Sequence, residues 1–203
     1  MAVPAHDEAR AIITPEREEK IVRAFSSAWT DWERCPDRGR YSRWPRTRAN
    51  MVFERLAERL QEAFDDDAGV RFHFQDETIK VVFDDQIVAR VKKANGLGLG
   101  QNIRTGAVAQ FVEAQSDIDG FGEHKKIEIV YFLNLLQTAI RSVVAQARDG
   151  NMQIWVWTLG KGAEGAEIVP FPLPDPPRGP SRDVADDIVH IRPTKPDETV
   201  EGD

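Results

Sequence analysis

Between Lys92 and Thr105 the chain reads KKANGLGLGQNIRT. Glycines at 96, 98 and 100 let the backbone present N–H groups. Lys92, Lys93 and Arg104 bring positive charge, and Thr105 opens a helical stretch whose N-terminus attracts anions. The chemistry on offer is binding of phosphate or a similar anion. The spacing G-x-G-x-G differs from the dinucleotide fingerprint, which is G-x-G-x-x-G inside a parallel βαβ unit. It differs also from the Walker loop, which needs a lysine and a hydroxyl after its last glycine. A mobile loop with surface lysines accounts for the same residues.

A second basic stretch, RCPDRGRYSRWPRTR, runs from Arg34 to Arg48 with six arginines, one acid and two aromatics. Arginines interleaved with aromatics suit phosphate contact plus base stacking, which makes Arg40, Arg43, Trp44, Arg46 and Arg48 candidates for nucleic-acid contact. The competing reading is an inter-helix connection whose arginines pair with Glu62, Asp65, Asp66 and Asp67.

A metal-dependent nuclease would need an aspartate on one strand and an acid-x-lysine on the next. Asp117, Asp119, Glu123 and Lys125 supply the pieces, but the aspartates sit too close to the acid-x-lysine for a separate strand. Asp85 is better placed, yet Arg90-Val91-Lys92 carries no acid where one is required. His6, His73, His124 and His190 are scattered, none four residues from another, so no local metal site forms. Cys35 has no base beside it. The sequence names no catalytic residue, no metal ligand and no cofactor.

Around these residues the periodicity predicts an α+β fold. Thr14 caps a helix with Pro15 at its first position and Ile21, Phe25, Ala28, Trp29 and Trp32 on one stripe; Pro36 and Gly39 end it. A second helix fits Thr47 to Phe64, with Val52, Phe53, Leu56, Leu60 and Phe64 inward. The period then changes to two. VRFHF and TIKVVF read as a hairpin, and a turn at Asp84-Asp85 leads to QIVARVKKA. A short helix with Val108, Phe111 and Val112 on one face follows Thr105. KIEIVYFL reads as a strand from its β-branched and aromatic content, although residues 126–148 also fit a helix. Asp149-Gly150 predicts a type I′ hairpin, with Trp155 and Trp157 on one face of the last strand. The expected architecture is N-terminal helices packed on an antiparallel sheet of about six strands with an inserted short helix, followed by a disordered tail.

The expected organisation is a flexible segment 1–13, one domain over 14–169, and a proline-rich linker with an acidic tail over 170–203. Six of the twelve prolines lie in PFPLPDPPRGP, which cannot pair inside a sheet. From Lys161 onward five basic and ten acidic residues give −5, leaving −2 of the net −7 for the rest of the chain. That field disfavours coating of nucleic acid by global charge, while local basic surfaces persist. In the tail, Ile188, Val189 and Ile191 form an apolar cluster that suits addition to another protein's sheet edge. No apolar run approaches membrane-spanning length, no secretory signal is visible, and the single cysteine fits a reducing cytoplasm.

The stretch Arg90–Gln115, with its Asn-Ile-Arg-Thr and later Phe and Gln, resembles uncharacterised bacterial proteins encoded beside helix-turn-helix and zinc-peptidase regulators in toxin–antitoxin-like operons. The resemblance implies a regulatory or stress-response setting and a protein partner, and it transfers no activity to particular residues. The reading is a non-catalytic regulatory or protein-interaction protein. The alternative is a nucleic-acid-binding or nucleic-acid-cleaving protein that uses Arg34–Arg48 and Lys92–Arg104.

Overall fold

The computed structural model describes residues 3–41, 44–75, 78–100 and 124–160. Four helices come first: α1 (His6–Ile12), α2 (Pro15–Glu33), α3 (Arg38–Tyr41) and α4 (Pro45–Ala63). Six strands follow: β1 (Val70–Gln75), β2 (Thr78–Phe83), β3 (Ile87–Lys93), β4 (Lys125–Leu133), β5 (Ile140–Asp149) and β6 (Met152–Thr158).

The main helices form where the spacing predicts them. Thr14 caps α2, its Oγ1 accepting the Arg17 N–H at 3.4 Å, and Pro15 presets the first turn. Ile21, Ala24, Phe25, Ala28, Trp29 and Trp32 are buried along one stripe, and Val52, Leu56 and Leu60 of α4 face them. Phe25 is fully buried, 5.6 Å from the Tyr131 ring, and loss of its side chain would cost about 3–5 kcal/mol.

The strands form one sheet in sequential order, β1 to β6. Every pair is antiparallel except β3–β4, which is parallel, with Ile87 opposite Lys125 and Lys93 opposite Tyr131. The expectation of an all-antiparallel sheet is corrected there. A parallel pair needs a crossover, which residues 94–124 provide, and β-branched composition does not encode strand direction. The predicted short helix after Thr105 and everything read into residues 161–203, including the linker, the disordered tail and the cluster Ile188, Val189 and Ile191, lie outside the described residues.

Two further expectations change. The N-terminal segment, expected to be flexible, forms α1, with Ala9, Ile12 and Ile13 buried. It is tied down from afar: the Trp155 indole N–H donates to the Pro4 carbonyl at 2.8 Å, and Lys125 pairs with Glu8. The β5–β6 loop is centred on Gly150-Asn151, between the paired Asp149 and Met152, and only Gly150 has positive φ (57°). That is the pattern of a type II′ turn rather than the expected I′. The I′ pattern occurs instead at Asp84 (φ 48°) and Asp85 (φ 56°), closed by Gln86 N–H to Phe83 O at 3.0 Å.

The sheet has two unlike faces. Val81, Phe83, Ile87, Ala89, Val91, Ile127, Ile129, Tyr131, Val143, Ala145, Trp155 and Trp157 join the described helices in the core. The opposite face carries Val82, Val88, Val130 and Val144 together with Arg71, Lys80, Arg90, Lys126, Glu128, Gln146 and Arg148, as alternation along each strand requires.

Candidate functional site

Two places gather residues that could bind something. One is the end of the sheet where β3 and β4 finish and β5 begins; the other is the polar face.

At the sheet end, the connection from β4 to β5 is a tightly built turn. Asn134 Oδ1 accepts the Thr138 N–H at 2.8 Å, its Nδ2 donates to Thr138 Oγ1 at 2.9 Å, and its own N–H reaches Ala139 O at 3.0 Å. Gln137 sits at φ 53°, unusual for a residue with a side chain. The helix layer holds this conformation. Trp29 Nε1 donates to Thr138 O at 3.1 Å, and Arg48 donates through Nη1 to Gln137 O at 3.1 Å and through Nη2 to Gln137 Oε1. On this anchored turn Leu135 is 101% exposed and Leu136 82%. Apolar side chains presented to water on a fixed backbone mark a docking surface more strongly than scattered ones do.

Cations surround the turn. Arg48 begins one helical turn after Trp44, which is 66% exposed, and Arg46 between them is exposed. Burial pushes the Lys93 ammonium below its ordinary pKa, and the charge on Arg48 pushes it further down, so one residue of each predicted basic segment shares this end of the sheet. Arg141 lies over the Phe132 ring at 5.7 Å. Of the remaining predicted contacts, Arg40 is exposed and faces Asp37 at 3.7 Å. Lys92 is half-buried, with its Nζ 5.9 Å from the Phe53 ring centroid, and its pKa is lowered by burial and then by Arg90, against a smaller opposing pull from Glu128. Arg43, Arg104 and Thr105 lie outside the described residues. Three of the four acids proposed as partners for Arg34–Arg48 are engaged elsewhere: Asp67 by Arg17, Asp66 by Lys20 and Glu62 by Arg59.

The glycine-rich loop has an unexpected anion. Asn95 Oδ1 accepts the N–H groups of Leu97 (2.8 Å) and Leu99 (3.1 Å), and Gly98 turns the chain with φ 78°. The Gly100 N–H then donates to Glu128 Oε2 at 3.2 Å. A Cβ on Gly100 would stand 2.9 and 3.0 Å from the two Glu128 oxygens, so only glycine permits this approach. The loop cradles a carboxylate, and the carboxylate is the protein's own.

Glu128 anchors a network that the sequence reading missed. Gln146 Nε2 donates to Glu128 Oε2 at 3.0 Å, Gln153 Nε2 donates to Gln146 Oε1 at 2.7 Å, and Arg148 Nη2 lies 2.9 Å from Glu128 Oε1. The Arg148–Glu128 contact is an ion pair out of line for a hydrogen bond. Arg90 and Lys126 flank them, and all five residues from Arg90 to Arg148 are buried. Burial lowers the Arg90 pKa, with Glu128 opposing. The signal in the sequence was polar residues two apart on strands, Arg90-x-Lys92, Lys126-x-Glu128 and Gln146-x-Arg148. It marks a shared face but not burial.

Of the nuclease pieces, Asp117, Asp119 and Glu123 lie outside the described residues. Lys125 pairs with Glu8, and Asp85 is taken by His124 at 2.9 Å and by Arg71, which together hold its carboxyl below the usual range. No group of three or more His, Cys, Asp or Glu side chains among the described residues could hold a metal ion, and no described helix is long and apolar enough to cross a membrane. No family model, curated relative or solved structure matches the chain.

Proposed function

We propose that this chain is a non-catalytic binding protein that engages a protein partner through the β4–β5 turn and the cations around it. The observation that carries the reading is the pair Leu135 and Leu136, held outward by Trp29 and Arg48 instead of collapsing onto the sheet. A two-leucine knob bonded through its turn to Arg48, with Lys93 and Arg141 on the adjoining strand ends, suits an apolar groove with an acidic border. The resemblance over residues 90–115 points the same protein toward a regulatory pair of the toxin–antitoxin or stress-response kind.

The test compares the untagged wild-type chain with a Leu135→Asp/Leu136→Asp variant in co-purification from the source cell, with mass spectrometry of what is retained. Both positions are exposed, so the variant should melt like the wild type. A partner recovered by the wild type and lost by the variant is the expected result. Equal recovery by both sinks the reading.

A second reading, nucleic-acid binding at the same end, is favoured by one specific observation: Arg48 and Lys93 both stand at this end of the sheet, and Trp44, one helical turn before Arg48, is exposed. An oligonucleotide that binds with steep salt dependence, and that Arg46→Ala weakens, would select this reading over a protein partner.

A further inference from the structure

We infer that β6 is a self-pairing edge, through which two copies of this chain join antiparallel into one continuous sheet. The proposal is independent of the partner read for the β4–β5 turn. Leu159 N–H donates to Val143 O at 2.9 Å, and Trp157 and Trp155 stand opposite Ala145 and Ala147 in the same register. Hydrogen-bonding residues alternate sides along an antiparallel strand, so Val156 and Thr158 direct their N–H and C=O groups away from the sheet. No described strand pairs with that side.

Such an edge is usually guarded by charge or proline. The opposite edge is guarded: β1 carries Arg71 and His73, both exposed. The β6 edge is not. From Asn151 to Gly160 the sequence NMQIWVWTLG holds no charged residue and no proline, in a chain where charged residues make up 30%. Met152 is 65% exposed and Ile154 49%, so apolar surface lies beside the open backbone groups. A bulge at the start of β6, where Arg148 pairs Gln153 and Ala147 pairs Trp155, leaves the Trp155–Thr158 stretch regular.

A second copy fits this edge because its strand is its own complement. With the two-fold axis at Trp157, Val156 of one copy opposes Thr158 of the other, and the reverse holds by symmetry. Both pairs then exchange the outward backbone groups, and Ile154 of each copy comes alongside the end of the other strand. Each chain carries −7, so the copies repel through their overall field while the contact strand itself is neutral. Salt screens that repulsion, and the dimer should tighten as ionic strength rises, the opposite of an ion-paired interface.

The test is sedimentation of the full chain from about 1 to about 100 μM, with amide exchange at both ends of that range. The expected result is a monomer–dimer equilibrium in which exchange at Val156 and Thr158 slows about tenfold on dimerisation, with buried β4 amides unchanged. An Ile154→Lys/Val156→Lys variant should remain monomeric. A chain that stays monomeric throughout, or a dimer whose Val156 and Thr158 amides exchange as fast as in the monomer, overturns the inference. The exchange readout needs only the wild-type chain, so it decides the matter even where the lysine variant folds poorly.

Discussion

Arg17 and Asp84, 67 residues apart in the chain, face each other fork to fork, with Nη1 to Oδ2 at 2.7 Å and Nη2 to Oδ1 at 2.8 Å. Arg17 also reaches Asp67 through Nε (2.8 Å) and Nη2 (3.0 Å) and the Ile12 carbonyl through Nη1 (2.8 Å). All five guanidinium donors are thus engaged. One side chain of α2 joins the end of α1, the segment after α4 and the β2–β3 turn. Gly69 makes room, since a Cβ there would stand 2.2 Å from Asp84 Oδ1.

Arg17→Lys should therefore be costly although charge is kept, because an ammonium cannot span two carboxylates and a carbonyl. The loss should be about 2 kcal/mol, below the fully buried range because Asp84 is partly solvated. Thermal unfolding should fall by roughly 4–8 °C. Asp67 adds a pH signature. Arg17 holds its carboxyl below the ordinary aspartate value, so its contribution is present above about pH 4 and lost as pH falls through the lowered value. The variant should lose that part of the acid dependence, and an unchanged acid limb would show the pair to be incidental.

Gly100→Ala should destabilise by about 1–3 kcal/mol, because the new methyl group meets a Glu128 carboxylate that Gln146 and Arg148 hold in place. Gly96→Ala, where a Cβ meets nothing within 4 Å, is the control and should melt like the wild type. Equal melting of both variants would mean that the loop does not close on Glu128.

Tyr131 should titrate late. Burial against Phe25 raises its phenol to about 12, so phenolate absorbance in the folded protein should lack one tyrosine until that pH is approached. The contribution is intact below the ordinary tyrosine pKa near 10 and is lost as pH climbs from there toward 12. Two tyrosines titrating together near pH 10, with the fold intact by circular dichroism, would contradict the buried placement.

Arg48→Ala should loosen the turn without unfolding the domain. Gln137 at positive φ carries a strain of roughly 1 kcal/mol that Arg48 helps to hold. Amide exchange at Gln137 and Thr138 should quicken, while global stability moves by less than about 1 kcal/mol. Exchange that does not change would assign the turn to the Asn134–Thr138 bonds alone.

The helices and strands were legible where one residue type recurs at a fixed interval. Ile21, Phe25, Ala28, Trp29 and Trp32 could bury only as a helix, and VRFHF and TIKVVF could alternate only as strands. Relations set by distant residues were not legible. Helix α1 depends on Trp155 and Lys125, more than a hundred positions away. The β3–β4 polarity depends on which strand edge the crossover delivers. The glycine loop reads either as an anion cradle or as a mobile loop with surface lysines, and Glu128, the carboxylate that it holds, lies in a run that reads only as a strand. The Leu135–Leu136 knob was hidden for a related reason: inside KIEIVYFLNLLQ, hydrophobicity alone places both leucines indoors.

The parallel seam also divides the sheet in time. Strands β1–β3 and β4–β6 are each linked by short turns, so each set can close over a few residues. The β3–β4 ladder can close only after the chain over 94–124 has been brought round, and the entropy of that closure must be spent before the ladder repays it. The two three-stranded halves should therefore form early and join late, with the transition state resting on contacts such as Ala89 with Ile127 and Val91 with Ile129. Truncating Ile129 at the seam, or Val70 within the β1–β2 hairpin, should therefore slow refolding more than it speeds unfolding. A Val70 truncation that mainly speeds unfolding would show that the halves do not fold as units.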